Sequence, residues 1–221
     1  MSSISNTDTK KTLPISGVVL AGGRSRRFSK EGQDKAKYIY KNKRMLDWSL
    51  ESLSETNERF IIANQTYETD FQIYKDLRTD CTETGCGPLG GLYTALKYAN
   101  HDWVALAACD MPNLTPIYWQ QLFEQMSDAD HAIVIKSNDK RLQTLAALYH
   151  KSLLPMIETH LDKTMLSLQS LSEHFSTIEI DDLPQNQSLS DDLFLNFNYL
   201  EDIDQNNQKN KLPFKGSLSF S

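Results

Sequence analysis

A chain of 221 residues with 39% hydrophobic and 10% aromatic content holds enough apolar material for one sizeable core, and its length points to a single compact domain. A formal net charge of -6 excludes a general nucleic-acid binder, which needs a broad basic face, and no apolar run reaches the roughly 18 residues of a membrane span. Met1 to Lys11 is polar and lacks the apolar segment of a secretory signal, while Cys81, Cys86 and Cys109 are odd in number and lack zinc spacing, which fits a reducing cytoplasm and no structural metal.

Residues 1–14 show no periodicity and are expected to form a flexible arm. Ile15 to Leu20 is a run of aliphatic residues that predicts a buried strand, and it stops at the pair Gly22-Gly23, where the backbone can turn without Cβ atoms in the way. Tyr38 to Tyr40 reads as a short extended segment. Met45, Leu46, Ser49, Leu50 and Leu53 then follow helical spacing. Phe60 to Ala63 predicts a second parallel strand ending at the polar Asn64, on the edge where open α/β sheets bind ligands.

After Gly87-Pro88, the residues Leu89, Leu92, Tyr93 and Leu96 mark one face of a helix whose amino terminus would point at the same edge. Trp103 to Ala108 predicts a central strand running into Asp110. Thr115 and Pro116 open a helix carrying Trp119, Leu122, Phe123 and Met126. Strands follow at Ala132 to Ile135 and around Thr144 to Tyr149, helices at Leu153 to Leu161 and Met165 to Phe175, and a strand at Ser176 to Ile180. Residues 205–221 have little apolar content and are expected to be a flexible tail. The alternation predicts an α/β fold, a three-layer α/β/α Rossmann-like arrangement spanning residues 15–204, with a mostly parallel sheet and an antiparallel strand or two late in the chain.

Two distributions single out the ligand edge. All glycines but Gly216 fall between Gly17 and Gly32 or between Gly85 and Gly91. Arg24, Arg26, Arg27, Lys30, Lys35, Lys37, Lys41, Lys43 and Arg44 crowd one short stretch opposed only by Glu31 and Asp34, in a chain that is acidic as a whole. Such a stretch is either a solvated charged loop or, following a strand and a glycine pair, a phosphate site. Asp110 is either a turn former or the carboxylate of a divalent cation that accompanies nucleotide phosphates.

The segments Leu20 to Phe28, Asp34-Lys35, Gly87 to Gly91, Cys109 to Pro112 and Asn196 to Asn198 with Glu201-Asp202 resemble, in order, the molybdenum cofactor guanylyltransferases. The resemblance implies a Mg2+-dependent nucleotidyltransferase that joins GMP from GTP to molybdenum-carrying molybdopterin and releases pyrophosphate. It implies GTP contacts at Leu20, Ala21, Gly22, Gly23, Lys35, Asn64, Asp80, Gly87 and Asp110, with Asp110 also the metal ligand and Asn196 and Asn198 on the pterin side. It further implies a monomer in passing contact with molybdenum-insertion proteins and molybdoenzymes. The chain departs from the pattern in the extra Ser29-Lys30-Glu31, in Ile62 before Asn64, and in Tyr199-Leu200.

The implied nucleophile is a phosphate monoester with a second pKa near ~6, already mostly dianionic at neutral pH, so no general base is required. Charge neutralisation by Lys35, Arg26 and Arg27 is the chemistry such a reaction needs. A cytidylyltransferase, another Mg2+-dependent nucleotidyltransferase and a non-catalytic GTP-binding regulator are the alternatives.

Overall fold

The structure is a computed structural model that describes residues 12–21, 34–184 and 191–195. Its strands are β1 (Leu13–Leu20), β2 (Ile39–Tyr40), β3 (Lys43–Arg44), β4 (Thr56–Ile62), β5 (Gln72–Tyr74), β6 (Trp103–Ala108), β7 (Ala132–Lys136), β8 (Leu142–His150) and β9 (Phe175–Glu179). The α-helices are α1 (Met45–Ser52), α2 (Gly87–Tyr98), α3 (Pro116–Glu124) and α4 (Leu154–Asp162). Seven strands form one sheet in the order β5-β4-β1-β6-β8-β7-β9. The pairings of β1 with β4 and β6, of β4 with β5 and of β7 with β9 are parallel; β8 alone is reversed, antiparallel to both of its neighbours. β2 and β3 make a separate ribbon that turns at Lys41 and Asn42, both at positive φ, the left-handed geometry a two-residue hairpin demands.

Strand residues alternate between two cores, as side chains of period two must. Ile15 and Val19 of β1, with Ala105 and Ala107 of β6, face α1 and α3, where Leu46, Leu50, Tyr118 and Trp119 are buried. Val18, with Val104 and Leu106, faces α2 and α4, where Leu89, Leu92, Leu96, Ile157 and Leu161 are buried. A sheet covered on both faces has one accessible place left for ligands, the rim at the strand ends. Buried polar groups tie the layers: Trp119 Nε1 donates to Ser52 Oγ at 3.2 Å, and Tyr118 Oη donates to the Ala146 carbonyl.

Two local expectations are corrected. The helix expected over Met165 to Phe175 is a 3-10 helix at Leu168–His174, whose buried residues Leu168 and Leu171 are three apart, the period of that tighter helix. Thr115 occupies the N-cap position of α3, but its side chain makes no capping bond. A short 3-10 turn lies at Asp191–Phe194, and the expected segment from Asn196 lies outside the described residues, as do most of the expected arm and all of the expected tail. β5, an edge strand of three residues with no clear alternation, is an addition to the sequence expectation.

Gly17 sits where β1 passes under the end of α1, and a Cβ there would lie 2.6 Å from Thr56 Oγ1 and 3.0 Å from Leu53 Cβ. Gly17→Ala should therefore lower unfolding free energy by about 1–3 kcal/mol through overpacking, measured by chemical denaturation. A neutral effect would show that β1 and α1 can separate at that point.

Candidate functional site

The site is built at the carboxyl ends of β1, β4 and β6. Backbone pairing continues one residue past the strands: Cys109 N–H donates to the Leu20 carbonyl at 3.2 Å and Ala21 N–H to that of Ile62 at 2.9 Å. Leu20, Ala21 and the residue preceding Asp110 are thereby held side by side. Ser49 Oγ, buried on α1, donates to the Ala108 carbonyl at 3.0 Å and fixes the strand end from which Asp110 projects.

Lys35 reaches this rim through a capped turn. Asp34 is the N-cap of a 3-10 turn at Lys35–Lys37, its Oδ1 accepting from Ala36 N–H at 3.1 Å, while its Oδ2 accepts from Gln65 Nε2 at 2.8 Å. Ala36 is fully buried and anchors the turn. Lys35 Nζ then lies 3.0 Å from Asp110 Oδ2, with side chains 12% and 16% exposed. Asp110 Oδ1 is buried and accepts no hydrogen bond among the described residues. A charge pair this well shielded from water is attractive only while both members are present, and an oxygen left over beside it is a hard donor suited to a divalent cation.

The other expected contacts are distributed around the same rim. Asn64 follows β4, and both ends of its amide are engaged by Asp76: Nδ2 donates to Oδ2 at 2.8 Å and Oδ1 accepts from the Asp76 N–H at 3.2 Å. Gly87 is the first residue of α2, at a φ of +60°, where a Cβ would meet the Leu166 carbonyl at 3.2 Å. Gly91 lets α2 press on the rim, since a Cβ there would lie 3.0 Å from Leu20 Cδ2. Asp80 stands apart from the Lys35–Asp110 pair: it is exposed and takes a two-pronged bond from Arg78, whose guanidinium also reaches Asp162 at 3.0 Å. Gly22, Gly23, Arg26, Arg27, Asn196 and Asn198 lie outside the described residues.

Sequence reasoning missed three features. Asp76, at the end of β5, holds Asn64, and burial pushes its carboxyl above the usual carboxylate range although the Asn64 amide opposes that shift. Its signal was hidden because β5 itself was not legible. Cys81 and Cys86 are joined in a disulfide, a pairing that a count of three cysteines leaves open. Finally, a cleft of about 820 Å³ opens beside the rim, lined among others by Met111, Ser137, Lys140, Gln143, Gln169 and Phe194. Met111 directly follows Asp110, so the cleft begins next to the residue that carries the charge pair.

The family model described as a MobA-like NTP transferase domain matches residues 17–177. A protein of Halalkalibacterium halodurans called "Probable molybdenum cofactor guanylyltransferase" is 32% identical over 194 residues, 86% of this chain and 96% of that protein. The molybdenum cofactor guanylyltransferase of Aliivibrio fischeri strain MJ11 is 30% identical over 193 residues, 86% of this chain and 94% of its own length. Among solved structures, the molybdopterin-guanine dinucleotide biosynthesis protein A of Archaeoglobus fulgidus shares the fold with a TM-score of 0.72 and 20% identity, covering 88% of this chain and 98% of its own.

Removing the amide that stabilises ionised Asp76 should cost stability in a pH-dependent way. Asn64→Ala is expected to lose about 1–2 kcal/mol at neutral pH, as for a hydrogen bond to a charged group. The folded-state pKa of Asp76 is raised by burial and would be raised further without the amide, so the penalty is full above both folded-state values and shrinks as pH falls through them, where folded Asp76 is protonated in variant and wild type alike. Denaturation curves from neutral pH down to about pH 4 should show the gap between variant and wild type closing. A gap constant with pH would place the cost elsewhere.

Proposed function

Because the chain belongs to the MobA-like NTP transferase family, we propose that it transfers GMP from GTP to molybdenum-carrying molybdopterin, giving the guanine dinucleotide form of the cofactor and pyrophosphate. The observation that supports this most directly is the meeting of Lys35 and Asp110, 75 residues apart in sequence, at the carboxyl rim of β1 and β6. Two further supports are the glycine-permitted approach of α2 to Leu20 and the cleft that begins at Met111.

In this mechanism an oxygen of the acceptor's terminal phosphate attacks the α-phosphorus of GTP, the bond from that phosphorus to the bridging oxygen breaks, and pyrophosphate leaves. The attacking phosphate is already dianionic, so the chain has to overcome repulsion between polyanions and not to remove a proton. Lys35 supplies a mobile cation: in leaving Asp110 for the phosphates it exchanges one anionic partner for another with little loss. Asp110, whose Oδ1 accepts no hydrogen bond among the described residues, would hold Mg2+, and the bound ion would supply positive charge to the triphosphate. Arg26 and Arg27 are assigned to the α-phosphate or the departing pyrophosphate. Leu20 and Ala21 form the strand end against which the nucleoside lies, Gly22 and Gly23 are assigned to the nucleotide by the family resemblance alone, and Asn64, Asp80 and Gly87 border the nucleoside. The cleft beyond Met111 takes the acceptor, with Asn196 and Asn198 on that side.

Asp110→Ala should reduce Mg2+-dependent pyrophosphate release by about a hundredfold or more, the scale of losing a preorganised charge, while the protein stays folded. Near-normal turnover would remove Asp110 from the metal. Lys35→Ala should weaken GTP binding by about tenfold, and unchanged affinity would remove Lys35 from the phosphates. In a nucleotide panel with molybdenum-loaded pterin, GTP should support pyrophosphate release and CTP should not; the reverse would make the chain a cytidylyltransferase, and GTP binding without release would make it a regulator.

A further inference from the structure

We propose that Cys81 and Cys86 are a redox-active pair whose reversible thiol–disulfide exchange sets the affinity of the nucleotide site; the nucleotide half of this rests on the function proposed above. The bond joins residues five apart, spanning the segment between Asp80 and the start of α2. The Asp80 carboxylate and both sulfurs lie within 4.8 Å of one another, so the bond and an expected nucleoside contact share one small volume.

The segment depends on that bond for its place. Thr82 Oγ1 donates to the Gly85 carbonyl at 2.7 Å and accepts from Thr84 N–H at 3.2 Å, and Gly85 N–H donates to the Thr82 carbonyl at 3.0 Å. These bonds shape the turn but do not tie it to the body of the protein. The disulfide does so at one end, because Cys86 is 2% exposed and packed so closely on Gly90 that a Cβ there would lie 2.6 Å from that of Cys86. At the other end the tie is Arg78, forked to Asp80 and bonded to Asp162. Cys86 stays fixed by the bond its carbonyl accepts from Gly90 N–H at 3.1 Å, whereas Gly85, at positive φ, has nothing within 4 Å of where a Cβ would stand, so it is the Cys81 to Gly85 side that can move once the bond opens.

The two sulfurs are not equivalent toward an incoming thiol. Cys81 is half-buried and borders exposed residues, whereas Cys86 is sealed beneath α2. The thiolate of a small or protein thiol attacks Cys81 Sγ, the S–S bond breaks, and Cys86 leaves as a thiolate at the amino terminus of a helix, a position that favours negative charge. A second thiolate then attacks the incoming thiol's sulfur in the mixed disulfide and releases Cys81. The protein disulfide gains two electrons, two thiols are oxidised to their disulfide, and the protons they lose pass to the cysteines. Disulfides that persist or open with the surrounding thiol poise are characteristically sensing devices. Opening this one loosens residues 81–85, between Asp80, which Arg78 still holds, and the start of α2, without touching Lys35 or Asp110, so the effect falls on nucleotide affinity and not on the chemical step.

The test uses the full chain, oxidised with glutathione disulfide or reduced with dithiothreitol, with thiols then alkylated and mapped by mass spectrometry and GTP affinity measured by calorimetry. Alkylation at Cys81 and Cys86 should appear only after reduction. The oxidised form should bind GTP at least about fivefold more tightly, the lower end of ordinary coupling between two sites. Steady-state assays should show the difference in KM for GTP with kcat little changed, and Cys81→Ser should behave as the reduced form whatever the redox treatment. Equal affinities of the two forms, or free thiols at both positions after oxidation, would overturn the proposal. If the pair switches as described but neither form binds GTP, the nucleotide assignment fails and the affinity effect with it.

Discussion

A lysine and a carboxylate, each mostly hidden from water, face each other across the carboxyl rim of the sheet, and much of the surrounding structure serves to bring them there. Neither comes from the other's element. Asp110 is carried by the central strand, whose end is pinned by Ser49; Lys35 arrives on a three-residue turn capped by Asp34 and seated on buried Ala36. Shielding a pair of opposite charges is weak evidence of stabilisation, because desolvation offsets the attraction. In the function proposed above, its value is that each partner would be exchanged for a stronger one of the same sign, a metal ion on the aspartate and phosphates on the lysine.

The same economy governs the glycines of α2. At Gly90 and Gly91 a Cβ would strike Cys86 or Leu20, so the helix can lie closer to the rim than a substituted helix could. Part of the positive end of that helix is already committed, since Leu89 N–H donates to the Leu166 carbonyl at 3.3 Å. A ligand at this rim would meet a helix start that is partly satisfied by its own chain, so in the proposed function the substrate's phosphates need a cation from elsewhere, the role given to Lys35.

Legibility followed burial. β1, β6 and β7 are continuous apolar runs covered on both faces, and their pattern alone located them within a residue or two. α2 and α3 announced themselves through proline at the start and a regular apolar stripe. β5 did not, because an edge strand of three half-exposed residues has no alternation to read, and with it went Asp76 and the bonds that hold Asn64. Met165 to Phe175 reads as an α-helix from its sequence because leucines three apart fit either helix type. For the site, motifs single out Lys35 and Asp110 as candidate ligand groups, but their contact depends on a turn geometry that one sequence does not encode locally. The disulfide was illegible for a related reason: with three cysteines, pairing is a matter of distance.

The one reversed strand has a consequence for how such a protein can change. Because β8 runs against β6 and β7, its beginning and not its end lies at the rim, and the hairpin from Ser137 to Arg141, with Lys140 at a φ of 65°, overhangs the cleft beside Met111. A hairpin tip tolerates insertion, deletion and substitution far better than a crossover between parallel strands does. The half of the rim proposed to take the acceptor is thus evolutionarily separable from the half proposed to take the nucleotide: residues at the tip can change while the strands carrying Leu20 and Asp110 stay fixed.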